Sequence, residues 1–251
     1  MRVRKVQEKR SWAIAVAVAI IKPTLLLLTK QKWVGGEQNF PADEGCVVVV
    51  NHLSHVDPLT TALLSYDHGR IPRFLIKSGL FKNKALGFFL KQAGQIPVYR
   101  ESAGAAGAYD AAVAAVRHGQ AVLIYPEATI TRDPDLWPMR GKSGAARIAL
   151  ETGCPVVPVG QWGAQAILPP YTKRPFLFPR KTIVARIGAP VDLSDLAAKQ
   201  PRTAEVVNEA TDRIMAAITH QVELIREEHA PKERYDMRVQ GDRFKDRKKA
   251  S

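Results

Sequence analysis

The chain is short of cysteine, of acidic residues and of uninterrupted apolar runs, and each shortage closes off a class of protein. Only Cys46 and Cys154 occur among 251 residues. They lie far apart and provide neither a disulfide framework nor a pair of close-spaced thiolate ligands, so a reducing, cytoplasm-facing compartment fits best. No repeat of fixed period is present, which excludes a solenoid, and there is no long low-complexity stretch. Acidic residues are outnumbered, 24 Asp and Glu against 37 Lys and Arg, for a formal charge of +13. Residues 1–10 and 231–251 carry +4 each, so most of the excess sits at the two ends. A nucleic-acid-binding domain would instead cluster basic residues on its folded part beside aromatic or groove-reading elements, and no nucleic-acid partner is expected. The basic ends read either as solvated tails or as contacts to an anionic bilayer, where a well-placed cation contributes about 1 kcal/mol.

The longest apolar stretch, Trp12 to Ile21, is broken by Lys22-Pro23 and resumes from Leu25 to Leu28 before Lys30 and Lys32. A simple membrane span wants about 20 apolar residues without interruption. The break predicts a kinked helix partly inserted in the interface, ahead of a true span. A cleaved signal peptide ranks third, because no small-residue cleavage site follows. The expected organisation is therefore an N-terminal membrane anchor over 1–32, a folded domain over 33–230 and a basic tail over 231–251. The predicted location is the cell membrane, peripheral or monotopic, with the folded domain on the cytoplasmic side.

Within the folded domain, strands and helices alternate. Cys46 to Val50, four of them valine, reads as a buried strand. A short helix follows Pro58, and Gly94 to Arg100 forms a strand ending in a cation. A helix from about Ala108 to Arg117 closes at His118-Gly119. Ala121–Tyr125 and Pro155–Val159 are further strands flanking a helix over Ala145–Leu150, and Thr182–Ile187 is another. From about Thr203 to Glu228 the apolar spacing of Val207, Ala210, Ile214, Ala217, Ile218 and Ile225 predicts a packed helix. Pro169-Pro170 and Pro175 mark a loop. This order predicts an α/β fold with a mostly parallel central sheet flanked by helices.

The chemistry concentrates where the valine strand ends, at Asn51-His52-Leu53-Ser54-His55-Val56-Asp57. A histidine at a strand's carboxyl end sits at the edge of an α/β sheet where sites are built. To take a proton from a hydroxyl it needs a fixed tautomer, which a carboxylate on its other ring nitrogen supplies. Four intervening residues let the chain turn back so that His52 and Asp57 can meet. Ser54 reads as a turn residue. His52, His55 and Asp57 are also metal-ligand types, so a metal-dependent hydrolase is the competing reading from another class, and a non-enzymatic basic membrane-binding protein is a third.

Four blocks in order give the motif company, and together they resemble the glycerolipid acyltransferase family, which includes 1-acylglycerol-3-phosphate acyltransferases of the bacterial type. The first block is Asn51, His52 and Asp57. The second is Gly94, Ile96, Val98 and Arg100. The third, Tyr125-Pro126-Glu127-Ala128-Thr129-Ile130, is similar to the family's Phe-Pro-Glu-Gly-Thr-Arg. The fourth is Val157-Pro158-Val159. Lys142 and Gly144 match an intervening Lys-x-Gly, and Gly36 to Pro41 resembles the family's approach to the first block.

The resemblance implies transfer of a fatty acyl group from acyl-CoA or acyl carrier protein to the sn-2 hydroxyl of 1-acylglycerol-3-phosphate, with no cofactor or resident metal. His52 would be the general base and Asp57 its orienting partner. Asn51, Glu127 and Thr129 would contact the acceptor, and the bilayer would supply it. Two departures bear on the substrate. Ala128 replaces a glycine, whose freedom at positive φ alanine only partly shares. Ile130 replaces the arginine that implies phosphate binding, leaving Arg100, Arg132, Arg140 and Lys142 to take that role. A different lysophospholipid or a glycolipid acceptor is the alternative.

Overall fold

The computed structural model describes residues 4–6, 8–98, 102–242 and 244, and in it seven strands form one sheet in the order β1-β7-β6-β2-β5-β3-β4. The strands are β1 (Thr29–Val34), β2 (Cys46–Val50), β3 (Arg73–Lys77), β4 (Ile96–Val98), β5 (Ala121–Ile124), β6 (Val156–Trp162) and β7 (Lys181–Ile187). Every neighbouring pair is parallel except β6 with β7. The mostly parallel α/β architecture expected from the element order is borne out.

The helices are α1 (Trp12–Leu28), α2 (Asp57–Asp67), α3 (Lys84–Gln92), α4 (Ser102–Arg117), α5 (Gly144–Thr152), α6 (Ser194–Ala197), α7 (Ala204–Arg226) and α8 (Met237–Gln240). Strand β2 shows why valine was chosen there. Val47 and Val49 point into a core shared with α4, α5 and α7, while Cys46, Val48 and Val50 point into a second core with Phe40 and Leu64. A strand covered on both faces needs β-branched residues at every position, not at alternate ones. At its carboxyl end β2 lies between β5 and β6, and the connections leave in opposite directions from there. That crevice is where doubly wound sheets place ligands.

Several expectations shift. Helix α1 continues unbroken through Lys22-Pro23 for 17 residues, capped by Ser11, whose hydroxyl accepts from the Ile14 N–H at 3.3 Å. Lys22 does not interrupt the apolar surface, because its ammonium turns inward to Asp67 at 2.7 Å. Strand β1 crosses the expected boundary at residue 32 and pairs with β7, so helix α1 passes into the sheet without a linker. In α7 the buried stripe is Val206, Ala210, Ile214, Ile218 and Val222, displaced from Val207 and Ile225 at the ends. The helix packs directly on β6 at Gly160, where a Cβ would come within 2.7 Å of Gln221. Strand β3 and helix α3 were not anticipated.

The basic ends are tied down where they are described. Arg4 donates to the carbonyls of Phe40 and Glu37, and Arg10 to the Tyr66 hydroxyl. Glu8 pairs with Arg70 and Arg73. Asp236 and Asp242 of the C-terminal segment pair with Arg140 and Arg132. These local partners engage part of the terminal charge that composition alone left either as solvated tails or as bilayer contacts.

Candidate active site

Val56 ends the turn that follows β2, and Asp57-Pro58 opens α2. Proline suits the first helical turn, where its missing N–H costs nothing. That placement aims the Asp57 carboxylate back at the strand end. Its Oδ2 lies 2.8 Å from His52 Nδ1 and also accepts the N–H groups of Leu53 at 2.5 Å and Ser54 at 2.7 Å. Asp57 is completely buried, while the His52 side chain keeps 15% exposure. One oxygen therefore shapes the whole loop and holds Nδ1 as the donor, which leaves Nε2 as the basic nitrogen.

The imidazole rests on the Tyr125 ring with centroids 4.4 Å apart and planes 24° apart. The Tyr125 hydroxyl donates to Thr61 Oγ1 at 2.9 Å, which fixes the ring from the α2 side. Ser54 is a buried turn residue: its hydroxyl donates to the Leu168 carbonyl and accepts from the Val56 N–H. His55 is exposed, and among the described residues no three His, Cys, Asp or Glu side chains gather as a ligand set.

Asn51 and Glu127 both turn out to be braces. Asn51 is wholly buried; its amide donates to the Gln161 carbonyl at 3.0 Å and accepts the Gln161 N–H at 2.8 Å, tying β2 to β6 just before the histidine. Gln161 answers by donating from its side chain to the Asn51 carbonyl. Glu127 spends one oxygen on the His52 N–H at 2.9 Å and the other on the Met139 N–H at 3.0 Å. Burial pushes its carboxyl up to about 8, against the pull of those two amide donors. Cys46 is buried as expected, and the same effect raises its thiol to about 12, so it is no nucleophile.

The cations separate into two groups. Arg132 is buried, with its guanidinium 3.8 Å from the centre of the Tyr171 ring and Nε 2.7 Å from Asp242. Burial lowers its pKa, Asp242 counteracts this, and Nη1 has no hydrogen-bond partner. Arg140 and Lys142 line a cavity of about 560 Å³ together with Glu127, Ser143, Asp212 and Arg238. Arg140 is held by Asp236 at 2.8 Å, whereas Lys142 is exposed and makes no ion pair among the described residues. His52 does not line this cavity; the two meet through Glu127. Thr129 is half-buried beside the third block, and Arg100 lies outside the described residues.

The sequence profile of the family described as Acyltransferase matches residues 33–162, which run from β1 to the end of β6 and include the His52–Asp57 pair and the Tyr125–Glu127 turn. The chain belongs to the acyltransferase family. It is 35% identical over 136 residues to a chloroplastic 1-acyl-sn-glycerol-3-phosphate acyltransferase of Brassica napus, a match covering 53% of this chain and 38% of that relative. The chain thus spans well under half the length of that plant protein. The 1-acyl-sn-glycerol-3-phosphate acyltransferase of Bacillus subtilis is 31% identical over 164 residues, covering 64% of this chain and 74% of the other. The fold is also that of the crystal structure of the 1-acyl-sn-glycerophosphate acyltransferase PlsC from Thermotoga maritima, with a TM-score of 0.64, 22% identity, and coverage of 86% of this chain and 81% of that one.

Two features of the site were not legible in the sequence, for physical reasons. Asn51 pairs with Gln161, 110 positions away, so its bracing role is visible only once β2 and β6 are neighbours. The aspartates on Arg132 and Arg140 come from the far C-terminal segment for the same reason. The unusual alanine of the third block was legible. Ala128 has φ of 57°, the left-handed conformation that a glycine adopts freely. Replacing Ala128 with Gly should raise stability by about 1 kcal/mol, or roughly 2–4 °C in Tm, because the steric cost of Cβ disappears. Thermal denaturation of the two proteins measures this, and an unchanged or lower Tm would mean the conformation carries no strain.

Proposed function

We propose that the protein transfers a fatty acyl group from an acyl thioester, acyl-CoA or acyl carrier protein, to the sn-2 hydroxyl of 1-acylglycerol-3-phosphate at a membrane, giving phosphatidic acid. The observation that carries this reading is the Nδ1–Asp57 bond at 2.8 Å on an imidazole that remains partly open to solvent. Nε2 takes the proton from the acceptor hydroxyl as its oxygen adds to the thioester carbonyl carbon. The tetrahedral adduct then collapses, the carbon–sulfur bond breaks, and the proton passes from Nε2 to the leaving thiolate. Asp57 stabilises the transient imidazolium. A thioester is already activated, so no serine or cysteine intermediate is needed.

For the acceptor phosphate the reading favours Arg140 and Lys142. Both border the cavity that reaches Glu127, and Glu127 grips the backbone of the base itself. The names of the relatives support the same acceptor. Arg132 is engaged by Asp242, and Ile130 is buried with its carbonyl accepting from the Tyr171 hydroxyl, so neither offers an open contact here. Thr129 and Arg100 remain as proposed contacts from the third and second blocks. The location proposed is peripheral or monotopic on the cytoplasmic side of the cell membrane. Among the described residues no helix is long and apolar enough to cross a bilayer.

Purified protein offered labelled acyl-CoA and acyl carrier protein against a panel of lysolipids tests the assignment. Lysophosphatidic acid should be acylated fastest. Equal use of uncharged lysolipids would remove the phosphate role of Arg140 and Lys142, and no transfer to any acceptor would remove the activity.

A further inference from the structure

We propose that the 3₁₀ turn Ser78–Lys82 and helix α3 form a second bilayer-docking element, which acts with α1 to seat the protein on an anionic lipid surface. Helix α1 drew attention from sequence; residues 78–92 did not. The turn and α3 are joined closely, because Gly87 is buried against Phe81, where a Cβ would stand 2.3 Å from the Phe81 carbonyl oxygen. The pair then docks on α1 through one aromatic group: the Trp12 ring lies 6.1 Å from Phe88 and 5.9 Å from Phe89, the latter edge-on.

What this platform presents outward is apolar. Phe88 is 57% exposed, and Leu80 and Leu86 of the same turn-and-helix unit are exposed as well. Along α1 the exposed residues Trp12, Val16, Ile20 and Leu27 recur at near-helical spacing. Lys22, the one charge inside that helix, is withdrawn to Asp67, so the face stays free of charge. A soluble surface rarely carries so many large apolar side chains together.

The rim decides which partner fits. No acidic residue occurs from His68 to Arg100, while that stretch holds Arg70, Arg73, Lys77, Lys82, Lys84, Lys91 and Arg100. Arg70 and Arg73 are consumed by Glu8. Lys77, Lys82, Lys84 and Lys91 are all exposed and make no ion pair among the described residues. Apolar anchors ringed by unpaired lysines, with an aromatic cluster between them, match the boundary between acyl chains and anionic headgroups.

The topology gives the contact its purpose. Strands β2, β5 and β3 are parallel, so His52, Tyr125 and the turn after β3 all emerge from the same edge of the sheet. Because β6 and β7 are antiparallel, β7 and its parallel neighbour β1 begin at that edge too, which brings the end of α1 there. A bilayer held by both elements would lie beside the edge that carries the imidazole. This inference rests on the lipid-acceptor reading for its purpose, though not for its surface chemistry.

Flotation of the full chain with vesicles tests it. Wild-type protein should float with phosphatidylcholine vesicles containing phosphatidylglycerol, and less with phosphatidylcholine alone. Phe88→Glu should lower the bound fraction about tenfold, and combined Lys82→Glu, Lys84→Glu and Lys91→Glu about a hundredfold on anionic vesicles. Leu224→Glu, an exposed apolar position on α7, serves as the control and should change nothing. Acyl transfer to detergent-dispersed acceptor should survive in every variant. If Phe88→Glu fails to fold, the surface lysine variant still decides. Unaltered flotation of the lysine variant would overturn the proposal. So would a wild-type dimer, in the absence of vesicles, that Phe88→Glu dissociates, since the face would then meet a second copy. Absence of acyl transfer by the wild type would strike the functional reading and leave this one standing.

Discussion

His52→Ala should lower the rate of acyl transfer by about 10²-fold or more while leaving the fold intact. The substitution removes the proposed base and little else. The imidazole's contacts are one hydrogen bond to Asp57 and a face laid on Tyr125. After its removal Asp57 still accepts the Leu53 and Ser54 amides, and Glu127 still holds the backbone N–H of position 52. KM for both substrates should therefore change little, and thermal denaturation should remain close to wild type. Steady-state kinetics with the lysolipid acceptor make the measurement. Activity near normal in a folded variant would end the role assigned to this histidine.

Asp57→Asn should damage both rate and stability, although it changes only one group. The side chain now has a single oxygen and an amide nitrogen to place. If the oxygen stays at the Oδ2 position, it still meets three donors, but without the negative charge that supports the imidazolium. The amide nitrogen then falls where Oδ1 is buried with no partner, and an unpaired buried donor costs about 1–3 kcal/mol. If the amide is reversed, its N–H groups face those of Leu53 and Ser54, which is worse. A fall in kcat of about 10²–10³-fold is expected, with a Tm drop that His52→Ala does not share. Kinetics and thermal denaturation of the two variants side by side check the distinction. An Asp57→Asn protein that is slow yet fully stable would show that the carboxylate orients the ring without shaping the loop.

The His52–Asp57 pair was legible because it is local. His52 and Asp57 are five positions apart, and one turn between a strand end and a helix start brings them together with no help from distant chain. The alternation of strands and helices was legible for the same reason, since burial on both faces of β2 writes itself as unbroken valine. The third-block alanine was legible as a strained position. By contrast, the family resemblance assigns Asn51 and Glu127 to the acceptor, and their bracing bonds were not legible. Their partners are the Gln161 backbone and the Met139 N–H, and nothing in the local pattern names those atoms. Strand β3 and α3 were hidden by composition. A helix exposed over most of its surface, carrying both lysines and phenylalanines, shows no clean apolar stripe in sequence.

Sequence alone determined the local pairing of an imidazole with a carboxylate and the mostly parallel α/β frame that carries them, all set by short-range spacing and by the β-branched residues that two-sided burial demands. Tertiary structure decided which charges are free to meet a ligand. Arg132 is buried against an aspartate about a hundred positions away, Arg140 stays half-exposed at the cavity beside its own aspartate, Lys22 is folded inward, and the lysines of residues 77–91 stay open to solvent. The physical reason is that a charge acts through its neighbours within a few ångströms, and for these side chains the fold, not the chain order, selects the neighbours.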